Sequence, residues 1–313
     1  TKAVIPARTL DSIYKVPLEF QKYKVAQLVA EKLNLGKVSP RMNTWKDFVR
    51  RIEKKKPSIK IALVGKYTGL DDAYLSVIES LKIAAYHEDR DLSLEWVSSE
   101  ELEKKKKSTW ARLSRCDGIL VPGGFGTRGV EGKILAAKYA RENRVPYLGL
   151  CLGMQIMTIE YARHFLNDPQ ITSEEFDEEN QLDPSKYIIH FLPQQSRGVR
   201  MGGTLRLGAY PCKLLPDTLA RSLYKKTEIS ERHRHRYEIN NDFLKRLEDS
   251  DWQIGGVYEE ASLVEIAELK HHPYMIGSQF HPEFLSRPDR PHPFFTGLIQ
   301  AAKKHATIKR KRA

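Results

Sequence analysis

Cysteine is scarce in this sequence. Among 313 residues there are only three cysteines, Cys116, Cys151 and Cys212. An odd and sparse set argues against a disulfide framework of the kind that stabilises small secreted domains. We therefore expect reduced thiols.

Long apolar runs are also missing. No stretch approaches the roughly 20 consecutive apolar residues that span a bilayer, and the N-terminus lacks the charged start, apolar core and cleavage site of a secretory signal. Hydrophobic residues make up 41% and charged residues 29% of the chain, which is typical of a globular protein. We expect a cytoplasmic protein with no membrane partner.

The positive charge lacks the features of a nucleic-acid-binding surface. Lysine and arginine number 52 against 40 acidic residues, a formal charge of +12 that favours anionic partners. The strongest clusters have no interleaved aromatic residues that could stack on bases; they lie at residues 54–56, 104–107 and 309–312. Such runs are usually solvated faces, so we expect no nucleic-acid partner.

Strand-like runs alternate with helical patterns after Pro57. The preceding lysine run is typical of a boundary, since proline ends a helix and the charges favour solvent. This predicts a leader or linker over residues 1–57, a catalytic domain over 58–306 and a basic tail over 307–313. The alternation predicts an α/β fold with a doubly wound, mostly parallel sheet. Later β-rich runs predict added antiparallel strands.

The clearest chemical motif surrounds Cys151. The run Gly149-Leu150-Cys151-Leu152-Gly153 follows an apolar strand and opens a helix, which matches a nucleophile elbow with cysteine in place of serine. Small residues are needed two positions to either side because the chain turns sharply there. A helix N-terminus also favours the thiolate form through the helix dipole. The alternative is a small buried residue at a tight turn.

His281 and Glu283 offer a base and a partner for it. An activated thiolate needs a base, and the base needs an orienting group. Residues i and i+2 of an extended segment face the same side, so these two side chains can adjoin. The apolar run over residues 274–280 predicts a core strand, which would place the pair at its carboxyl end. Taken alone, His-Pro-Glu is more often a satisfied loop histidine.

A glycine-rich segment offers an oxyanion hole. Acyl transfer needs preorganised N–H donors. Residues 121–126, Val-Pro-Gly-Gly-Phe-Gly, follow a predicted strand, and their glycines allow close backbone approach. We predict that the backbone N–H of Gly124 or Phe125 and that of Leu152 are the donors. A plain turn is the alternative.

A dense basic run, Arg-His-Arg-His-Arg-Tyr-Glu, occupies residues 232–238. On a strand, its alternating side chains would project two cationic faces. A phosphate, a carboxylate, a nucleic-acid strand or a metal held by His233 and His235 could each be the ligand. We expect no metal, because no cysteine or acidic ligand lies at zinc spacing. A bidentate arginine suits a substrate with an α-carboxylate.

Together these motifs resemble the class I, triad-type glutamine amidotransferases, and more closely the glutaminase domain of the CTP synthase family. The resemblance covers roughly residues 9–300 and implies a flavodoxin-like class I glutaminase fold. Its motifs lie at residues 65–67, 122–133, 151–155, 175–176, 201–208 and 279–284.

The resemblance implies a role for each matching residue. Cys151 would form a glutamyl thioester, His281 would transfer protons and Glu283 would orient the histidine. The oxyanion hole would consist of the backbone N–H groups of Gly124 and Leu152. Contacts to L-glutamine would come from Gly124, Phe125, Leu152, Gly153, Met154 and Gln155, from Glu175 toward the amino group and from Arg236 toward the carboxylate.

In the family, released ammonia travels to an N-terminal synthetase domain that uses ATP and Mg²⁺ to convert UTP into CTP, and GTP activates the enzyme. The resemblance implies no cofactor in this domain, and a homo-oligomer, a tetramer, at full length. Residues 12–18 resemble the end of the synthetase domain, so we expect an excised glutaminase half. Candidate contacts to GTP are Arg128, Arg197 and Arg200.

Other interpretations compete with this one. A stand-alone glutamyl hydrolase or another biosynthetic amidotransferase would share the fold, but the leader and residues 201–208 argue against both. A non-enzymatic scaffold could also retain the fold, and the intact Cys151, His281 and Glu283 disfavour it. A nucleic-acid binder would show strongly salt-dependent affinity for oligonucleotides.

Overall fold

A computed structural model of the protein describes residues 4–66, 71–177, 179, 181–192 and 205–312. The chain divides into two compact units, one of residues 1–56 with 288–290 and one of residues 57–287 with 291–313. Two of the candidate GTP contacts, Arg197 and Arg200, lie outside the described residues. The division into leader, catalytic domain and basic tail stays a prediction.

The smaller unit is helical. Its helices are α1 Val16–Lys22, α2 Val25–Lys32 and α3 Asn43–Glu53. The ring of Phe48 packs edge-on against Tyr14 with centroids 5.1 Å apart, and the indole N–H of Trp45 donates to the carbonyl of Tyr14 at 2.7 Å. These aromatic contacts tie α3 to the segment that precedes α1.

The larger unit combines two sheets with flanking helices. Its strands are β1 Ser58–Gly65, β2 Asp91–Ser98, β3 Gly118–Val121, β4 Tyr147–Leu150, β5 Thr172–Ser173, β6 Tyr187–Phe191, β7 Arg206–Leu214, β8 Glu228–His235, β9 Tyr237–Ile239, β10 Trp252–Tyr258, β11 Leu263–Leu269 and β12 Met275–Ser278. Its helices are α4 Leu75–His87, α5 Ser99–Glu103, α6 Lys107–Ser114, α7 Val130–Asn143, α8 Leu152–Phe165, α9 Leu219–Tyr224 and α10 Pro293–Arg312.

One half of the main sheet is parallel. Strands β2, β1, β3, β4 and β12 lie side by side in that order. Strands β3 and β4 are buried along their whole length, as expected for parallel strands covered on both faces. Because the carboxyl ends of parallel strands meet at one edge, the turns after β3, β4 and β12 lie close together.

The other half of the main sheet is antiparallel. Strands β11, β10, β7 and β8 continue from β12 and complete nine strands. A smaller sheet joins β5, β6 and β9. The predicted fold class, an α/β doubly wound sheet with added antiparallel strands, is confirmed.

Two apolar cores cover the two faces of the main sheet. Alternate residues of β3 show the division: Ile119 and Val121 belong to one core, and Leu120 belongs to the other. This follows from the two-residue period of a strand. The first core is shared with α7 and α8, and the second with α4 and α10. Their packing fixes the strands whose ends carry the site.

Several details bear on the predictions. The three cysteines are free and buried, and burial raises the pKa of Cys116 to about 12. Helix α10 ends at Arg312, so residues 307–312 of the expected basic tail belong to this helix.

Among the described residues, none of the helices combines the length and apolar character needed to span a bilayer.

Candidate active site

Cys151 occupies a strained turn between β4 and α8. Its φ of 51° and ψ of −102° are rare for a residue with a side chain, and its N–H donates to the carbonyl of Ser278 at 2.6 Å. An added Cβ at Gly149 would lie 2.4 Å from the carbonyl of Gly153, and one at Gly153 would lie 2.1 Å from the carbonyl oxygen of Val121. Both glycines are therefore required for this elbow.

His281 and Glu283 follow β12 and form a close pair. The Nδ1 atom of His281 lies 2.7 Å from Oε1 of Glu283, and their side chains are 12% and 6% exposed. The ring of Phe284 stacks on the imidazole with centroids 5.2 Å apart. The backbone N–H of His281 donates to the carbonyl of Arg232 at 2.8 Å. These contacts fix the ring orientation and direct Nδ1 to the carboxylate.

The electrostatics of this pair favour a charged imidazole. Burial by itself lowers the pKa of His281, but hydrogen bonds to Cys151 and Glu283, and the negative charges of both, outweigh burial and raise the pKa to about 10. At neutral pH the site therefore holds an imidazolium beside the sulfur of Cys151. A neighbouring imidazolium favours the thiolate, which is the form of a cysteine that attacks a carbonyl.

The glycine-rich turn after β3 closes over these groups. An added Cβ at Gly123 would lie 2.9 Å from Cε1 of His281 and 3.6 Å from Cβ of Cys151. A cavity of about 240 Å³ is lined by Gly124 and Phe125 together with both of these catalytic candidates and Glu283. The structure thus brings together the predicted nucleophile, the predicted base and the predicted oxyanion segment.

The remaining glutamine-binding candidates on α8 lie in its first turn. The side chains of Leu152 and Met154 are buried at 1% and 0% exposure, so they would meet a ligand through backbone groups. The amide nitrogen of Gln155 donates to the carbonyl of Tyr237 and to Oε1 of Gln279, each at 3.1 Å. Only the amide oxygen of Gln155 remains to contact a substrate.

Sequence reasoning missed Gln279. Its side-chain nitrogen donates to Sγ of Cys151 at 3.6 Å, and its side chain is fully buried. The position opens the motif at residues 279–284, but its place in a motif does not reveal a contact with a sulfur 128 residues away.

Glu175 and Arg236 lie close enough to interact electrostatically. Burial raises the pKa of Glu175, whereas the N–H of Gly126 and the charges of Lys133, Lys66 and Arg236 lower it. The N–H of Gly126 donates to Glu175 at 2.7 Å. The carboxylate therefore anchors the glycine-rich turn while it faces several cations.

Lys133 is a second residue that sequence reasoning missed. It is only 2% exposed, and its Nζ would lie 3.7 Å from a Cβ added at Gly124. Burial lowers its pKa to about 8, assisted by the charges of Lys66 and Arg128 and opposed by Glu175. The only sequence signal is its place in the glycine-rich motif.

The basic run on β8 differs from the prediction of two cationic faces. Arg232 and Arg234 lie on the exposed face, whereas His233 and His235 are buried. Burial is the main cause that lowers the pKa of His233 to about 3 and the pKa of His235 well below its usual value, so these two histidines are uncharged at neutral pH. The prediction was wrong for the inner face, because its two histidines are buried and burial lowers the pKa of both.

Buried carboxylates meet this inner face. Arg206 contacts Glu265 at 2.6 Å and Glu238 at 3.3 Å. His233 lies 3.4 Å from Glu265. The buried histidines thus lie against a group of charged side chains. No set of three or more potential metal ligands is found in the described part of the chain.

Arg128, the described GTP candidate, lies on the surface beside Glu100. Their charged atoms are 3.3 Å apart, and the arginine side chain is 55% exposed. It does not line the cavity around Cys151.

The chain is similar to proteins of a known family. Residues 70–301 match the family described as Glutamine amidotransferase class-I. The CTP synthase of Dehalococcoides mccartyi is 48% identical over 304 residues, which cover 97% of this chain and 55% of that protein. The CTP synthase of Bacillus subtilis is 47% identical over 309 residues, 99% of this chain and 57% of that protein. The chain thus spans little more than half the length of these curated relatives.

A solved structure is similar over most of the chain. It is the glutaminase domain of Trypanosoma brucei CTPS with bound acivicin. The two share 35% sequence identity and a TM-score of 0.72, over 79% of this chain and 94% of that one.

Proposed function

The chain belongs to the class I glutamine amidotransferases, among the glutaminase domains of CTP synthases, and we propose that its Cys151 is the nucleophile that hydrolyses L-glutamine. The observation that carries this proposal is the shared cavity in which the strained Cys151 meets the His281–Glu283 pair, joined at 2.7 Å. Glu283 is proposed to orient the imidazole and to stabilise its charge.

The first half-reaction forms a thioester. The sulfur of Cys151 attacks the side-chain carboxamide carbon of glutamine, and the carbonyl electron pair moves to oxygen. The backbone N–H groups of Gly124 and Leu152 are proposed to receive this oxyanion. As the oxyanion collapses, the carbon–nitrogen bond breaks, His281 donates its proton to the departing nitrogen, and ammonia leaves.

The second half-reaction releases glutamate. Thioester formation removes the negative charge of Cys151, one of the two groups that raise the pKa of His281. The imidazole, now neutral, takes a proton from water as the water attacks the thioester carbon. Collapse of this second tetrahedral intermediate expels the thiolate and leaves a side-chain carboxylic acid, which releases its proton to solvent to give L-glutamate. The imidazole keeps its proton for the next cycle.

Charge complementarity supports the proposed recognition of glutamine. A free α-amino group needs a carboxylate, for which we propose Glu175, and a free α-carboxylate suits the guanidinium of Arg236. The two residues already interact electrostatically. Backbone groups of Phe125, Gly153 and Met154, and the amide oxygen of Gln155, complete the proposed contacts.

For the whole protein we propose CTP formation. Ammonia from this domain would aminate UTP in an N-terminal synthetase domain that uses ATP and Mg²⁺, in a cytoplasmic tetramer. The names of the curated relatives support this activity. We also propose GTP as an activator contacted by Arg128, Arg197 and Arg200. The side chain of Arg128 is 55% exposed, and its ion pair with Glu100 lies at the surface, where such pairs are weak.

A glutaminase assay tests the proposal. Purified chain is given L-glutamine, and glutamate and ammonia are quantified separately over time. We expect equal amounts of both products, none from Cys151→Ala, and inhibition by acivicin. The matched control is Cys116→Ala, which removes a buried thiol that does not line the cavity around Cys151. Equal rates from Cys151→Ala and the unmodified chain would contradict the proposal.

A further inference from the structure

Gln279 contacts the reacting sulfur but has no part in the mechanism above. We infer that its side-chain amide is a further catalytic group, one that donates a hydrogen bond to Cys151 Sγ and stabilises the thiolate both before attack and as leaving group. Gln155 acts as its positioning residue. The role of Gln279 in turnover rests on the proposed function, whereas its contact with Cys151 needs no substrate.

The contact belongs to a continuous chain of hydrogen bonds. Gln279 Nε2 donates to Cys151 Sγ at 3.6 Å. Gln155 Nε2 donates to Oε1 of Gln279 at 3.1 Å and to the carbonyl oxygen of Tyr237 at 3.1 Å. Both glutamines are buried, at 0% for Gln279 and 3% for Gln155. Water therefore has little access to compete for these donors.

The donor and acceptor order of these hydrogen bonds is determined by the carbonyl of Tyr237. A backbone carbonyl can only accept, so the group that Gln155 turns toward Tyr237 must be its NH₂. The second hydrogen of that NH₂ then points at Gln279, which must present its oxygen. The NH₂ of Gln279 is consequently the group that faces Cys151. The polarity of one backbone carbonyl thus specifies a donor at the sulfur.

The backbone around Gln279 holds its side chain in place. Its N–H donates to the carbonyl of Glu265 at 2.8 Å, and the preceding residue, Ser278, accepts the N–H of Cys151. The nucleophile and the donor are therefore attached to the same strand end. A small movement of β12 would carry both together.

The chemistry explains why a donor is useful here. A hydrogen bond to the charged form of an acid favours that form. The thiolate is present before attack and again when the second tetrahedral intermediate collapses, whereas the thioester sulfur is neutral. A donor at Sγ therefore helps the carbon–sulfur bond to break, with the electron pair returning to sulfur and no proton needed.

Other charged groups also act on this sulfur. His281, Glu283, Arg234 and Asp72 line the same cavity as Cys151. The test must therefore change the donor without changing any of these charges.

Alkylation of Cys151 by iodoacetamide measures the thiolate without glutamine. The second-order rate is followed against pH in the purified chain, and peptide mapping separates Cys151 from the other thiols. In Gln279→Met, which removes the donor at similar length, we expect the midpoint of the rate profile to move up by about one pH unit, roughly a tenfold smaller thiolate fraction. Gln300→Met, on the exposed part of α10, is the matched control.

Gln155→Met tests the orientation with Gln279 left intact and no charge added. Methionine has no N–H to donate to Oε1 of Gln279, so the amide of Gln279 is no longer held with its nitrogen toward the sulfur and the midpoint again moves up. An unchanged midpoint in Gln279→Met overturns the inference, and a shift confined to that variant overturns the role of Gln155. If Gln279→Met does not fold, Gln155→Met alone decides. If the midpoint rises in the variants as expected but the unmodified chain has no glutaminase activity, the proposed function is rejected and the contact stands.

Discussion

Replacing Glu283 with glutamine should move the alkaline limb of the glutaminase pH profile toward neutral pH. The carboxylate lies 2.7 Å from Nδ1 of His281, and both side chains are largely buried. The substitution keeps the size and a hydrogen-bonding oxygen but removes the negative charge. It therefore isolates the electrostatic effect of Glu283 on the imidazole.

The size of the shift follows from the strength of that interaction. A hydrogen bond to a charged group stabilises by about 1.5–3 kcal/mol, which corresponds to about one to two units of pKa. The pKa of His281 should then fall from about 10 in the unmodified protein to about 8 or 9. Above its pKa the imidazole is neutral and cannot protonate the departing ammonia. As pH rises, the variant should therefore lose activity at a lower pH than the unmodified protein does.

The assay is kcat/KM for glutamine across the alkaline range, because this ratio reports ionisation in the free enzyme. Glu142→Gln, an exposed carboxylate at the end of α7, serves as control. An alkaline limb at the same pH in Glu283→Gln and in the unmodified chain would refute the assignment of this limb to the His281–Glu283 pair.

Three further substitutions give separate tests. Gly153→Ala would place Cβ 2.1 Å from the carbonyl oxygen of Val121, so we expect a loss of about 3 kcal/mol in the free energy of unfolding, measured by urea titration; an unchanged midpoint would contradict the elbow geometry. Lys133→Met removes a cation that lowers the pKa of Glu175, and KM for glutamine should rise about tenfold with a smaller change in kcat; an unchanged KM would count against this role. Burial raises the pKa of Glu265 from 4.5 to about 7, so between these two values the folded state holds a proton that the unfolded state lacks. The free energy of unfolding should therefore fall as pH rises from 4.5 to about 7. Glu265→Gln should flatten this fall, and equal slopes of unfolding free energy against pH in both proteins would exclude Glu265 as the cause.

The positions of the catalytic candidates could be predicted because their signals are local. The glycines that flank Cys151 report a sharp turn, and the structure shows that neither tolerates a Cβ. The spacing of His281 and Glu283 places them on one side of an extended segment, and they meet at 2.7 Å. Their roles in catalysis stay predictions until activity is measured.

The features that were missed depend on contacts between distant parts of the chain. Lys133 has the sequence appearance of an ordinary helical lysine, and its burial results from the packing of α7 beneath the glycine-rich turn. The burial of the histidines on β8 depends on the antiparallel pairing of β8 with β7, which places His233 opposite Gly208. Gln279 reaches the sulfur only after β4 and β12 pair in parallel register. Local patterns contain none of these pairings.

Trapping with the glutamine analogue 6-diazo-5-oxo-norleucine tests the central claim most directly. The chain and its Cys151→Ala variant are incubated with the analogue, and intact mass is followed by peptide mapping. The account predicts a single adduct on Cys151 that excess glutamine prevents and the variant lacks. An adduct on another residue, or one that persists in Cys151→Ala, would contradict it.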